Sequence, residues 1–506
     1  MISKSKKIIK NSTVLYLRMI FVMAISLYTS RVVLDALGVE DFGIYNVVGG
    51  IVLMFSFLNS AMSLSVSRFM GIAMGYNDRD YLIRIFKASI NIHLFLALII
   101  ALFAEIIGGW YFYNYLKVPI EKLDVAFLVF HFSVLTLIFN IIRVPYQASI
   151  TINEDLNVFA ILSIIESVLK LGIVYALYLA LDKLMLYGLL IFMVTFIITI
   201  LHVIYCRYKY YWCKIQFYWN RQIYFELFRF AGLNTFGNMV QVFVLQGQNL
   251  LLNFFFGPIV NASRGIAFQV NVALSGFITN IFTAVNPQLF KSYGEGNIDY
   301  MKKLLYNATT VSFYVLLMAS IPIILDIDYI LNLWLTKVPE YTSDFICLIL
   351  INSLIFSNIQ PLLITIHATG RIGKLHIYTG LVNTLNLILS YIFLKFDFPP
   401  QSVFCIQMLV SVCMIAVILY QMKRTLTFGI KDFVIKVYCR ELLILCLSLP
   451  IPFLFYYFTE ASFFRLVILS LLSIITVACT AYQYGVDRDI RDKMKAIIKQ
   501  RFKDGK

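Results

Sequence analysis

Charged and amide side chains interrupt long apolar stretches of this chain, and their spacing suggests ion pairing, anion binding and proton handling. Glu166 and Lys170 stand four apart in the run IIESVLKLG. On a helix they share a face, and Glu ahead of Lys is the favourable order for pairing. Two readings stand: a neutralised structural pair, or a cationic or protonatable point on a substrate path. Arg18 lies about 9 Å into a helix that starts near residue 12, and its face continues through Val22, Ile25 and Thr29. Arg31 points about 140° away from it on a straight helix. Reaching to the interface is expected for Arg31, while Arg18 can either reach or face a cavity. Further along, Asn234, Asn238, Gln241 and Gln248 form one amide face with Asn249 beside it, followed by Arg264 and Asn271. Five amides exceed what gluing helices together normally requires. They predict a wet, polar cavity.

Other chemistry is weakly represented. His93, Glu105, His131 and His202 are scattered, with no metal-ligand spacing, so hydrogen-bonded structural histidines are expected. The eight cysteines offer no CxxC and no His/Cys cluster, which leaves neither a disulfide framework nor a metal site. Gly370-Arg371-Ile372-Gly373-Lys374 is too short for a phosphate loop and lacks the following Ser or Thr. Asp487-Arg488-Asp489 resembles a metal-binding acidic pair, but a solvated charged tail explains it more simply. These features predict no enzyme activity and no cofactor.

The elements that hold these residues are membrane helices. Hydrophobic residues make up 60% of the 506-residue chain, charged ones 14%, and mean hydropathy is +0.83. A bilayer core of about 30 Å takes about 20 helical residues to cross. About fourteen such runs follow one another at 12–34, 43–66, 88–112, 125–147, 157–180, 185–206, 233–256 and 264–287, then 304–326, 343–366, 376–395, 401–422, 440–458 and 462–482. Within them, the cations read as intramembrane are Arg18 and Lys170. An ion at mid-helix costs about 2.5–3.5 kcal/mol on insertion scales, so each must face a cavity, a partner or an interface.

Most of the 42 Lys and Arg residues fall on one side if both termini are cytoplasmic, as basic loops resist translocation. That bias absorbs the net charge of +15, with anionic membrane lipids as the partner and no nucleic acid. The basic start and following apolar run resemble a signal peptide, but Arg18 interrupts it, and an uncleaved first helix is expected.

A shift of 219 residues superposes the first and seventh runs. It carries Gly38 onto Gly257, Gly75 onto Gly294, Asp80 onto Asp299 and Tyr81 onto Tyr300. Around residues 41–46 a shift of 222 fits better. The stripe Tyr45, Val52, Ser56, Ser60, Ser63 and Ser67 maps onto Arg264, Asn271, Ser275, Thr279, Phe282 and Asn286. The expected fold is an all-α polytopic bundle. It comprises an N-lobe at 1–213, a C-lobe at 214–436, and two extra helices with a basic tail at 437–506. Internal symmetry of this kind is a transporter signature, with a site near the midplane. Here the first, second, seventh and eighth helices would line it.

Three segments add a resemblance: LYTSRVVLDALGVEDFGIYNVVG (27–49), RVPYQASITINEDLNVFAILSIIESVLKLGIVYAL (143–177) and HATGRIGKLHIYTGLVNTLNLILSYIFLK (367–395). They resemble Wzx-type polysaccharide flippases of the multidrug/oligosaccharidyl-lipid/polysaccharide exporter superfamily. The resemblance implies a MATE-like, two-lobed bundle in the bacterial cytoplasmic (inner) membrane, working by alternating access. It implies as cargo an undecaprenyl-diphosphate-linked oligosaccharide, turned from the cytoplasmic to the periplasmic leaflet for surface polysaccharide such as O-antigen. Polysaccharide polymerase machinery is a candidate partner. Arg264 would then bind the diphosphate, followed by Arg18, Arg68 and Lys170, since Arg pairs donors against phosphate. The amides and Tyr45 suit sugars. Asp78, Asp80, Glu295 and Asp299, with Arg79, Arg84 or Lys302, could latch one gate or simply be solvated. The alternatives are an H⁺- or Na⁺-coupled multidrug exporter, for which Glu166 and Glu105 are the candidate carboxylates, or a membrane-embedded glycan polymerase.

Overall fold

The computed structural model describes residues 2–485 except 77, 154, 179–181, 370–372 and 427, with some helical side chains also left undescribed. The Gly370–Lys374 motif, in its first three residues, and the Asp487–Asp489 tail therefore lie outside the described residues, as do the side chains of Asn234, Asn238 and Ser60.

Helices account for nearly all of it. In order they are α1 (Ile2–Leu37), α2 (Val39–Leu53), α3 (Ser56–Gly75), α4 (Arg79–Phe103), α5 (Gly109–Tyr115), α6 (Leu123–Ile152), α7 (Leu156–Leu177), α8 (Lys183–Lys209), α9 (Arg221–Phe256) and α10 (Pro258–Gly294). The chain continues with α11 (Ile298–Leu325), α12 (Ile327–Trp334), α13 (Thr342–Phe356), α14 (Ile359–Ala368), α15 (Gly373–Lys395), α16 (Ser402–Thr425), α17 (Ile430–Phe433), α18 (Cys439–Ser448), α19 (Pro450–Phe458) and α20 (Phe463–Thr480). Among the described residues, twelve helical stretches are long and apolar enough to span a membrane. The two further runs expected from the sequence, 43–66 and 264–287, fall in α2–α3 and α10: the first is divided by a helix break that leaves α2 only 15 residues long, and polar residues punctuate α3 and α10.

The expected continuous helix over 43–66 is corrected. It breaks at Met54–Phe55, where two residues with right-handed helical dihedrals form a tight turn. The polar stripe drawn through it assumed one unbroken helix, so its upper and lower parts belong to different elements.

Contacts group the chain into two compact units. The first comprises Met1–Ile266 with Trp334–Glu340 and Ser390–Pro400. Here α6 packs against α4 and α8, α1 against α7, and α3 against α9. Phe86, Phe112, Phe130 and Tyr146 are fully buried at its centre. In lipid such packing acts through close van der Waals contact, since tails are as apolar as Leu. The second unit holds the remainder, with α20 and α18 packed on α11 and α13 on α16. Arg465 at the start of α20 makes a two-bonded clasp on Asp326 at the end of α11, and its Nη1 donates to Thr459 O at 2.9 Å.

The local geometry repeats at the same interval as the sequence. Gly38 and Gly257 both adopt φ +81°, a conformation L side chains rarely adopt, and each donates its N–H 2.8 Å to the carbonyl four residues back. Downstream, Asp78 caps α4 by accepting from Tyr81 N at 2.9 Å, and Asn297 caps α11 by accepting from Tyr300 N at 3.2 Å. The sequence offers gate ion pairs or solvated loops here. Asp78 serves as a cap, and the exposed Asp299 pairs with Lys302, one of the offered partners, within its own helix at 3.7 Å.

Candidate functional site

One face of α7 gathers a cluster of charged groups in the first unit. Phe159, Ser163, Glu166 and Lys170 recur at helical spacing, so their side chains line one stripe. Lys170 Nζ lies 2.7 Å from Glu166 Oε1, as the four-residue spacing anticipated. From α6, Arg143 Nη1 donates to the other oxygen, Oε2, at 3.1 Å. From α1, Arg18 Nη1 donates to Ser163 Oγ at 3.3 Å, and its guanidinium sits over the Phe159 ring, 4.9 Å from the centroid.

Arg143 is a correction to the sequence reading, which took Arg18 and Lys170 as the cations inside spans. It lies well within α6, two residues before Pro145. The signal was present, since 125–147 contained the arginine, but its position near a helix end resembled a loop charge.

Electrostatically this face is unbalanced. Three cations, Arg18, Arg143 and Lys170, share this face with one carboxylate; Glu166 pairs with Arg143 and Lys170, while Arg18 donates to Ser163. Arg18 Nε is buried without any partner. Cations in a bundle interior need paired charge or hydrogen bonds to offset lost hydration. The face can therefore take an anion.

A second polar group joins α2, α9 and α10 in the same unit. Asn249 Nδ2 donates to Asn46 O at 3.2 Å, and Asn261 Nδ2 donates to Asn249 Oδ1 at 2.7 Å and to Asn249 O at 2.8 Å. Gln248 is 2% exposed. Arg264, at 8% exposure, donates from Nη2 to Leu245 O at 2.7 Å. It thus holds a backbone carbonyl of α9. Gly265 brings α10 against Asn46, whose Oδ1 would lie 2.8 Å from an added Cβ, and Gly43 brings α2 against Pro258 O, 1.9 Å from one.

The remaining expected residues are dispersed. Tyr45 is half-buried and packs edge-on against Tyr187 with ring centroids 4.6 Å apart. Arg68 is exposed on α3 beside Phe69, and Gln241 is exposed on α9. Asn271 lies in the second unit, where Ser353 Oγ donates to its Oδ1 at 2.7 Å. His93, His131 and His202 each bond the carbonyl four residues back at 2.7–2.8 Å through Nδ1. His131 additionally meets Glu105, Nε2 to Oε2 at 3.2 Å, a pairing that sequence spacing concealed.

Beyond the spans, Tyr210 donates to Asp155, which also receives Lys209 Nζ at 3.2 Å. Burial, reinforced by the Asp155 charge, pushes the Tyr210 phenol well above its ordinary range.

No family model matches the chain, and no curated protein does. Solved structures match closely in shape. A multidrug resistance MATE family transporter of the MOP superfamily, inward-facing, aligns with TM-score 0.69 and 14% identity over 79% of this chain and 94% of its own. The lipid II flippase MurJ, in an inward closed conformation, aligns with TM-score 0.70 and 15% identity over 95% of this chain and 99% of its own. A MOP superfamily transporter from Pyrococcus furiosus aligns with TM-score 0.61 and 14% identity over 84% and 96%. The chain is a multi-pass membrane protein with a MATE-like fold.

Proposed function

We propose that this protein is a Wzx-type flippase. It carries a lipid-diphosphate-linked oligosaccharide from the cytoplasmic to the periplasmic leaflet of a bacterial inner membrane by alternating access. The observation that supports this reading is the charge excess on the α7 face. Arg18, Arg143 and Lys170 outnumber Glu166, and a diphosphate would complete the balance. Two guanidiniums offer paired donors to phosphate oxygens, where an ammonium acts as a point charge. Charge-assisted hydrogen bonds are strengthened where the local dielectric is low. The amide group around Asn249 suits hydroxyl-rich sugars. Likeness to a protein described as a lipid II flippase supports a lipid-linked cargo, and the MATE likeness supports the second reading, a cation-coupled multidrug exporter.

Reconstitution in liposomes separates the two. Purified protein is given a fluorescent undecaprenyl-diphosphate oligosaccharide or a cationic dye with an ion gradient. Glycan transfer between leaflets, slowed in Arg143→Gln, is expected. Dye accumulation without glycan transfer would establish the exporter instead.

A further inference from the structure

The second unit buries a carboxyl that no described cation neutralises. Glu441 on α18 is 3% exposed, and its Oε2 accepts from Asn358 Nδ2 at 3.1 Å. Glu441 Oε1 has no hydrogen-bond partner, and neither has Asn358 Oδ1. The hydroxyls of Tyr314 on α11 and of Tyr438 are buried without partners too. Among the described residues no cation forms an ion pair with Glu441, whose hydrogen bond is the one from Asn358.

Irregular backbone recurs in the elements that carry this group. Asn358 stands at the break between α13 and α14. A π-helical turn, Val434–Tyr438, leads into α18. A second, Ala481–Gly485, ends so close to Tyr314 that a Cβ on Gly485 would lie 2.7 Å from its hydroxyl. Irregular backbone at membrane depth is tolerated where protein or a wet cavity covers it, and π-turns recur at functional sites.

We propose that Glu441 is a proton-binding site whose neutral acid is clasped by Asn358. A carboxylic acid and a primary amide can share two antiparallel hydrogen bonds. The Nδ2–H to Oε2 bond is one of them. A proton on Oε1, donated to Asn358 Oδ1, makes the other. That one proton gives partners to both orphaned oxygens and removes a charge buried in the bundle. Loss of the proton sets two acceptors face to face and loosens α14 from α18, while the Tyr314 and Tyr438 hydroxyls are the donors left to receive the carboxylate. The site belongs to the second unit and involves neither the cargo nor any residue of the α7 face.

Infrared difference spectroscopy of the full chain in lipid nanodiscs tests this. At neutral pH, wild type minus Glu441→Gln should show the carbonyl stretch of a protonated carboxylic acid. The band should persist when K⁺ is replaced by Na⁺, and Asn358→Leu should shift it towards a free acid. Absence of the band overturns the proposal. So does a band that vanishes on adding Na⁺, which would make this a metal-cation site. Should Glu441→Gln fail to fold, ¹³C-glutamate-labelled wild type, titrated alone, reads the same isotope-shifted band.

Discussion

Arg143 Nη1 lies 3.1 Å from Glu166 Oε2, and that contact ties α6 to α7 through a carboxylate whose other oxygen already holds Lys170. Glu166 therefore serves two cations. Its removal leaves like charges facing each other inside the bundle.

Glu166→Gln should accordingly destabilise the protein. Truncating one member of a buried ion pair costs about 3–5 kcal/mol. Lys170 is 38% exposed, so the loss should sit near the low end, about 3 kcal/mol. Arg143→Gln leaves Glu166 and Lys170 paired and should fold, yet slow glycan transfer about tenfold or more, equivalent to about 1.4 kcal/mol. Unfolding in detergent and the liposome assay read the two effects. A Glu166→Gln variant as stable as wild type would mean that water already screens these charges.

Exchanging the two residues in place, Glu166→Lys with Lys170→Glu, keeps a pair on the helix but moves the carboxylate about one turn, about 6 Å, from Arg143. Lost transfer in a folded protein is the expected result, because the cation pattern is read by position. Wild-type transfer would reduce the pair to a neutralised structural element.

Arg264 carries a different expectation. Its guanidinium is buried and bound to the carbonyl of Leu245, so Arg264→Ala removes a donor from α9 as well as a charge. Leaving a buried polar group unsatisfied costs about 1–3 kcal/mol. Stability and transfer should fall together, and Arg264→Lys, whose ammonium can still donate, should restore more of the stability than of the transfer. Transfer abolished at unchanged melting temperature would return Arg264 to direct cargo contact.

Much of this was legible in the chain itself. Spans and the Glu166–Lys170 pair follow from spacing along one helix, and the 219-residue interval from a pattern repeated along the chain, both of which sequence records directly. What stayed hidden depends on neighbours distant in sequence. Arg143 reaches Glu166 across 23 residues, and His131 reaches Glu105 from another helix. Glu441 drew no notice because an acidic residue near a span end is ordinarily solvated; burial is conferred by α11 and α20 packing around it. The break at Met54–Phe55 had no Gly or Pro to announce it.

The interval of 222 around residues 41–46 has a structural counterpart that yields the last expectation. It pairs Gly43 of α2 with Gly265 of α10, and each is the point where its own helix meets the other: Gly43 against Pro258, Gly265 against Asn46. The contacts are reciprocal. A Cβ at Gly43 would lie 1.9 Å from a backbone oxygen, which cannot rotate aside as a side chain does. Overpacking costs about 1–3 kcal/mol, more when backbone must shift. Gly43→Ala should therefore lower the melting temperature sharply or prevent accumulation in the membrane. Gly49→Ala, six residues on in the same helix with nothing within 4 Å, should be neutral or slightly stabilising. Equal stability of the two variants would show that α2 and α10 do not meet at this distance.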